Sequence, residues 1–170
     1  KDKLRNGAKT NAFDTFDYTN SQRQRLFGGG MNDVDSTAAI AFITETIKNE
    51  FDVHPDHYQL CCIQKRLKQE SCVYRASSTM SKSLVYQTAG IISSGVVVYI
   101  HPSLFYLIGL QQSLSQSLTG GCIGNLIPKE KIAKHIESAK EGKLKVIFTT
   151  PDKFISENLA HVLDIAFVCL

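Results

Sequence analysis

Lysine followed by serine, behind a run of small residues, is a pattern that can hold a phosphate, and Ser77–Gln87 reads SSTMSKSLVYQ. In a phosphate loop of the form G-x-x-x-x-G-K-[ST], small residues let backbone N–H groups close round the phosphates. The lysine neutralises them, and the following hydroxyl holds Mg²⁺. Lys82 and Ser83 stand in that order, with Ser78, Thr79, Met80 and Ser81 in front of them as candidate phosphate-cradling residues. However, Ala76 replaces the first glycine and Ser81 the one before the lysine. The bare alternative is an ordinary serine-rich turn in which Lys82 is a solvated residue at a helix start and Ser83 a helix cap.

The other reactive side chains offer less. His54 and His57 lie near Cys61 and Cys62, but without a second ligand pair the better reading is a polar loop with structural thiols. The five cysteines are odd in number and never spaced C-x-x-C, which fits neither a disulfide framework nor a zinc ribbon and suits a reducing compartment. Tyr99, His101, Phe105 and Tyr106 could stack on bases, although aromatics at a strand end are more often core. Lys129, Lys131, Lys134, Lys140, Lys143 and Lys145 read as a solvated helix face.

The elements that must position these residues follow from periodicity. The 170 residues, 43% hydrophobic and 21% charged, make one globular domain or slightly more, and a net charge of +3 permits nucleic-acid contact without arguing for it. No run of 18 apolar residues is present to span a membrane and no signal-peptide pattern opens the chain, so a soluble intracellular protein is expected. Residues 1–33, polar and ending in Phe27-Gly28-Gly29-Gly30, read as an arm and linker.

Beyond the arm, Ile40, Ile43, Ile47 and Phe51 form the stripe of a helix capped by Asp35 or Ser36, and Leu60, Ile63 and Leu67 form that of a second. Cys72–Arg75 reads as a short strand leading into the serine-rich loop, and about 83–93 as the helix behind it. Val96–Ile100 is a continuously apolar strand, followed by a helix over 103–118. A short strand near Ile123, a basic helix over 128–141 stopped by Gly142, a strand over 144–148, a helix opened by Thr150-Pro151 and a last strand over 165–170 complete the pattern. Alternating strands and helices predict an α/β fold with a three-layer parallel sheet whose ligands sit at the carboxyl ends of the strands.

The order of segments from about Phe51 to Leu170 resembles the first RecA-like lobe of a RecQ-family DNA helicase, in the second helicase superfamily. Lys82-Ser83-Leu84-Val85-Tyr86-Gln87 is similar to that family's K-S-L-C-Y-Q, and Pro55-Asp56-His57-Tyr58-Gln59 resembles its R-P-x-Q adenine motif at close to the family's spacing from Lys82. Pro102-Ser103-Leu104, after the apolar strand, resembles an S-P-L turn. Ile147-Phe148-Thr149-Thr150-Pro151-Asp152-Lys153 resembles a T-P-E-[KR] segment.

The resemblance implies a partial, incomplete RecA-like P-loop NTPase lobe over residues 34–170. In it Gln59 reads adenine, Ser78–Ser83 hold ATP, and Ser83 reaches Mg²⁺ through the nucleotide. Pro102, Ser103, Thr150 and Pro151 would contact the DNA backbone, in a protein of the nucleus or nucleoid. Thr79, Met80 and Ser81 stand where the family has glycine, so ATP and Mg²⁺ binding is expected to be weak or lost. The sequence stops where the family's D-E-x-H box begins, so no catalytic residue is assigned, and the chain alone is expected neither to hydrolyse ATP nor to unwind DNA. The alternative is a non-enzymatic helicase relic that binds nucleic acid or a protein partner. The sequence does not address oligomeric state.

Overall fold

The computed structural model describes residues 34–75 and 82–170; residues 1–33, expected to form an arm, and the segment from Ala76 to Ser81 lie outside them. Among the described residues the helices are α1 (Thr37–Phe51), α2 (His57–Leu67), α3 (Lys82–Ile92), α4 (Leu104–Gln112), α5 (Lys129–Lys140), α6 (Pro151–Ser156) and α7 (Leu159–Val162). The strands are β1 (Val96–Ile100), β2 (Gly120–Ile123), β3 (Val146–Thr149) and β4 (Ile165–Cys169). The strands form one parallel sheet in the order β2-β3-β1-β4, the α/β architecture that the alternation predicts.

Pleating sends successive side chains to opposite faces, and each face is apolar. Val97, Cys122, Val146, Phe148 and Phe167 turn to one side, where Tyr86 and Ala89 of α3 and Leu104 and Leu107 of α4 cover them. Val96, Val98, Ile100, Ile123 and Ile147 turn to the other, under Ile132 and Ala139 of α5, Leu159 of α7 and Leu163 behind it. A further layer lies outside α3, where Phe42, Ile43 and Ile47 of α1 and Cys62, Ile63 and Leu67 of α2 pack against Leu84, Val85 and Ile92. Helix α3 is therefore buried on both sides.

The helix starts follow local chemistry. Ser36 caps α1 by accepting the Ala39 N–H, and on that helix Phe42 is buried while the expected stripe member Ile40 is exposed. Asp56 and Gln59 form a reciprocal capping box on α2. Two expectations are overturned. Cys72–Arg75 is extended but joins no strand ladder; Ser71, Val73 and Arg75 face solvent, while Cys72 and Tyr74 lean on the α1–α2–α3 cluster. Its alternation is that of a chain lying on helices, not of a strand with both faces covered. The helix after β1 ends at Gln112, not near 118. The Ser115 N–H donates to Gln87 Oε1 instead of continuing the helix, so Leu114 and Leu118 reach the core from a turn.

Two glycines answer geometric demands. Gly95, between α3 and β1, has φ +81° and lies so close to the Asp164 carbonyl that a Cβ would meet it at 2.7 Å. At Gly121 a Cβ would stand 2.8 Å from the His135 ring.

Candidate functional site

The carboxyl ends of parallel strands bring loops together, and here β1 and β3 are hydrogen-bonded neighbours with Ile100 opposite Thr149. The His101 N–H donates to the Thr149 carbonyl at 3.1 Å. Pro102-Ser103 and Thr150-Pro151, far apart in sequence, consequently leave the same edge side by side. Pro102, Ser103 and Pro151 are exposed; Thr150 is buried.

Each turn is held by its own hydrogen bonds. Ser103 caps α4 by accepting the Tyr106 N–H at 3.4 Å, while the Ser103 N–H donates to His101 Nδ1 at 3.1 Å. Thr150 supplies no side-chain cap to α6. Its hydroxyl instead faces Asp152 and, together with the Asn125 amide at 2.8 Å, holds that carboxyl below the usual carboxylate range. Asn125 follows β2, so the loops after β2, β3 and β1 form one continuous ledge.

Aromatic side chains run from the core to this ledge. Tyr86 of α3 meets Tyr99 of β1 edge-on at 5.1 Å, Tyr99 lies 6.0 Å from Phe148, and the His101 and Tyr106 rings stack at 4.4 Å. Burial, then the neighbouring Tyr106, pushes the Tyr99 phenol up to about 12, and burial raises Tyr86 further. The expectation that these aromatics are core holds for Tyr99 alone. Phe105 is 77% and Tyr106 48% exposed, because the capped first turn of α4 turns Leu104 and Leu107 inward and leaves the positions between them outside.

Lys82 and Ser83 open α3, Lys82 exposed and Ser83 half-buried. Tyr86, one turn on, touches Tyr99 near the carboxyl end of β1, whereas Gly90 touches Val97 near its start. The helix thus runs against the strand and points its N-terminus to the same edge as Ser103 and Thr150. A helix N-terminus carries partial positive charge and unpaired N–H groups, which suit an anion. Ser78, Thr79, Met80 and Ser81 fall outside the described residues.

Gln59 is buried, and its Oε1 accepts the Asp56 N–H at 2.9 Å. Its amide also stands beside the Tyr74 phenol, which burial and then Asp56 push upward. The residue expected to read adenine is therefore engaged in closing its own helix, next to the chain that leads into the serine-rich segment.

Lys129, Lys131, Lys134, Lys140 and Lys143 are exposed, but Lys145 departs from the expected solvated face: its ammonium donates to the Ser93 and Gly95 carbonyls and ties β3 to the turn before β1. Among the described residues, no group of three or more His, Cys, Asp and Glu side chains is placed to hold a metal ion. None of the described helices is long and apolar enough to cross a membrane.

Gln87 is a residue that periodicity overlooked. It is 2% exposed, accepts the Ser115 N–H at 2.8 Å and reaches the Ser113 carbonyl at 3.4 Å. Its signal was a lone amide inside an otherwise apolar helix.

The chain is 26% identical over 98 residues to the ATP-dependent DNA helicase Q-like 5 of Arabidopsis thaliana, a match covering 58% of this chain and 11% of that protein. The likeness is to a helicase. It is distant, and the chain spans only about a tenth of that relative's length. No protein-family model matches the chain.

Proposed function

We propose that this chain is a RecQ-like helicase ATP-binding lobe whose carboxyl sheet edge binds the backbone of single-stranded DNA, and which by itself does not hydrolyse ATP. The observation that carries the reading is the adjacency of Ser103 and Thr150-Pro151 on neighbouring parallel strands, with Phe105 and Tyr106 exposed beside them. Backbone and hydroxyl groups there suit phosphate contacts, and exposed rings suit a base face. The distant helicase similarity supports the same reading.

In this reading Lys82 and the N-terminus of α3 receive the nucleotide phosphates, Ser83 meets Mg²⁺, and Gln59 lies toward the base. Binding is weak because Thr79, Met80 and Ser81 each bring a Cβ to where backbone must approach phosphate. Hydrolysis needs a metal-holding Asp, a water-orienting Glu and an arginine finger, of which the finger alone is worth about 10³–10⁵ in rate. The 170 residues contain no adjacent Asp-Glu pair. Such a protein would act at DNA, in the nucleus or nucleoid.

The test is anisotropy of a labelled single-stranded oligonucleotide across a salt series, with Ser103→Asp as the decisive variant. Aspartate caps helices as well as serine does, so the fold is kept while a negative charge meets the phosphates. Binding should weaken with rising salt and weaken further in the variant. Equal affinity in both proteins removes Ser103 from the interface, and ATP turnover stimulated by DNA and lost in Lys82→Ala refutes the inactive assignment.

A further inference from the structure

Helix α2 ends in a reversal that folds the chain back on the helix it has just left. The Gln69 N–H donates to the Arg66 carbonyl and the Glu70 N–H to the Lys65 carbonyl at 2.8 Å, with Gln69 in the left-handed region at φ 59°. A Lys65–Glu70 ion pair at 3.0 Å and a hydrogen bond from Arg66 Nη2 to the Glu70 carbonyl hold the return. The extended residues that follow lay Cys72 against the cluster that contains Cys62, and Cys72 is the thiol that perturbs Cys62 most.

The neighbouring thiols are placed differently. Cys61, next in sequence to Cys62, faces His57, with Sγ 3.5 Å from Nε2. Cys169 lies on β4 and feels the charge of Arg66 and Cys72. Cys122 is buried under the sheet with its thiol on Gln111.

We propose that Cys62 and Cys72 form a redox modification site, in which hydrogen peroxide joins them in a disulfide that ties residues 71–75 to α2. Cys72 is half-buried and Cys62 fully buried, so the first step falls on Cys72. The thiol gives up its proton, the thiolate attacks one oxygen of hydrogen peroxide, the O–O bond breaks, and the departing hydroxide takes that proton and leaves as water, with Cys72 now a sulfenic acid. The Cys62 sulfur then attacks the Cys72 sulfur, the S–O bond breaks, and the departing hydroxide takes the Cys62 proton to leave as a second water. The two thiols lose two protons and two electrons, and the peroxide is reduced to two waters.

Burial and the adjacent Cys72 push the Cys62 thiol up to about 11, which keeps it protonated and slow toward peroxide until a sulfenic acid stands against it. The bond closes a short loop and fixes the entry to the serine-rich segment, which begins four residues after Cys72.

The experiment treats the whole purified chain with hydrogen peroxide, blocks remaining thiols by alkylation and maps the peptides by mass spectrometry. The expected product is a Cys62–Cys72 cross-linked peptide pair, lighter than the two thiol peptides by two hydrogens and released by dithiothreitol. In Cys62→Ser the Cys72 sulfenic acid should accumulate and be trapped by dimedone, and trypsin should cut after Arg75 more slowly in the oxidised wild type than in the reduced. Cross-linking of Cys72 to Cys169 or Cys61, or over-oxidation of Cys72 with no cross-link in the wild type, overturns the assignment without need of any variant.

Discussion

Helices α3 and α5 are nearly equal in length and lie against opposite faces of one sheet, yet α3 buries nine of its eleven residues and α5 two of its twelve. The difference is one of neighbours. Helix α5 packs on the sheet in a cluster it shares with Leu159 and Leu163, and none of the described helices forms a layer outside it, so one stripe is apolar and the rest carries lysine and glutamate. Helix α3 lies between the sheet and the α1–α2 layer, so every position from Leu84 to Ile92 meets protein. The element that opens with Lys82 and Ser83 is thus the most buried of the described helices, and a ligand at its N-terminus would meet a support that cannot easily shift.

The largest effect should come from emptying the space between the two layers. Ile92→Ala is expected to destabilise by about 2–5 kcal/mol, read by urea denaturation, because Ile92 is fully buried in the cluster that joins α3 to α1 and α2. A loss near zero would mean that the α1–α2 layer packs loosely, and the contrast with α5 would fail. Next comes the polar contact inside α3. Gln87→Leu should cost about 1–3 kcal/mol, since the Ser115 N–H then loses its acceptor.

A gain is expected where α2 turns back: Gln69→Gly should stabilise by about 1 kcal/mol by relieving a left-handed side chain, seen as a rise in the urea midpoint.

On α5 the one sensitive polar group is His135, whose Nδ1 pairs with the Cys122 carbonyl at 3.0 Å. Burial is the main cause that holds its pKa below the ordinary histidine value, with Lys131 and Lys134 adding to it. The folded state then binds a proton less readily than the unfolded state. The contribution is complete above about pH 6.5 and falls away as pH drops through that value toward the lower folded pKa. Stability should decline on that side, and His135→Gln should flatten the decline; an unchanged slope would show that the ring titrates freely. Smallest of all, Lys134→Ala should change stability by less than about 0.5 kcal/mol, as for any exposed position without a partner of consequence.

Much of the fold is legible because its strands are apolar on both faces and its helices carry visible stops. Val96–Ile100 could be little else than a covered parallel strand, and Gly142, with φ +72°, ends α5 where expected. The misreadings share a physical origin. Cys72–Arg75 alternates like a strand, yet its ladder partners are a tertiary matter, and a chain lying on helices alternates too. The stripe Leu107, Leu110, Leu114 and Leu118 continues past the helix that begins it, because Gln87, distant in sequence, takes the N–H of Ser115. Phe105 and Tyr106 look like core by type and are outside by register. At the candidate site, the pairing of Ser103 with Thr150 depends on which strands are neighbours, and no local pattern contains strand order.

The edge-on contact of Tyr86 with Tyr99, with the exposed Tyr106 neighbouring Tyr99 at the sheet edge, also gives the chain an optical property. It contains no tryptophan, so its ultraviolet emission is that of tyrosine, and neighbouring tyrosines exchange excitation among themselves. A base laid on Tyr106 would drain light absorbed in the buried rings behind it, and the protein would report occupation of its sheet edge without any attached dye.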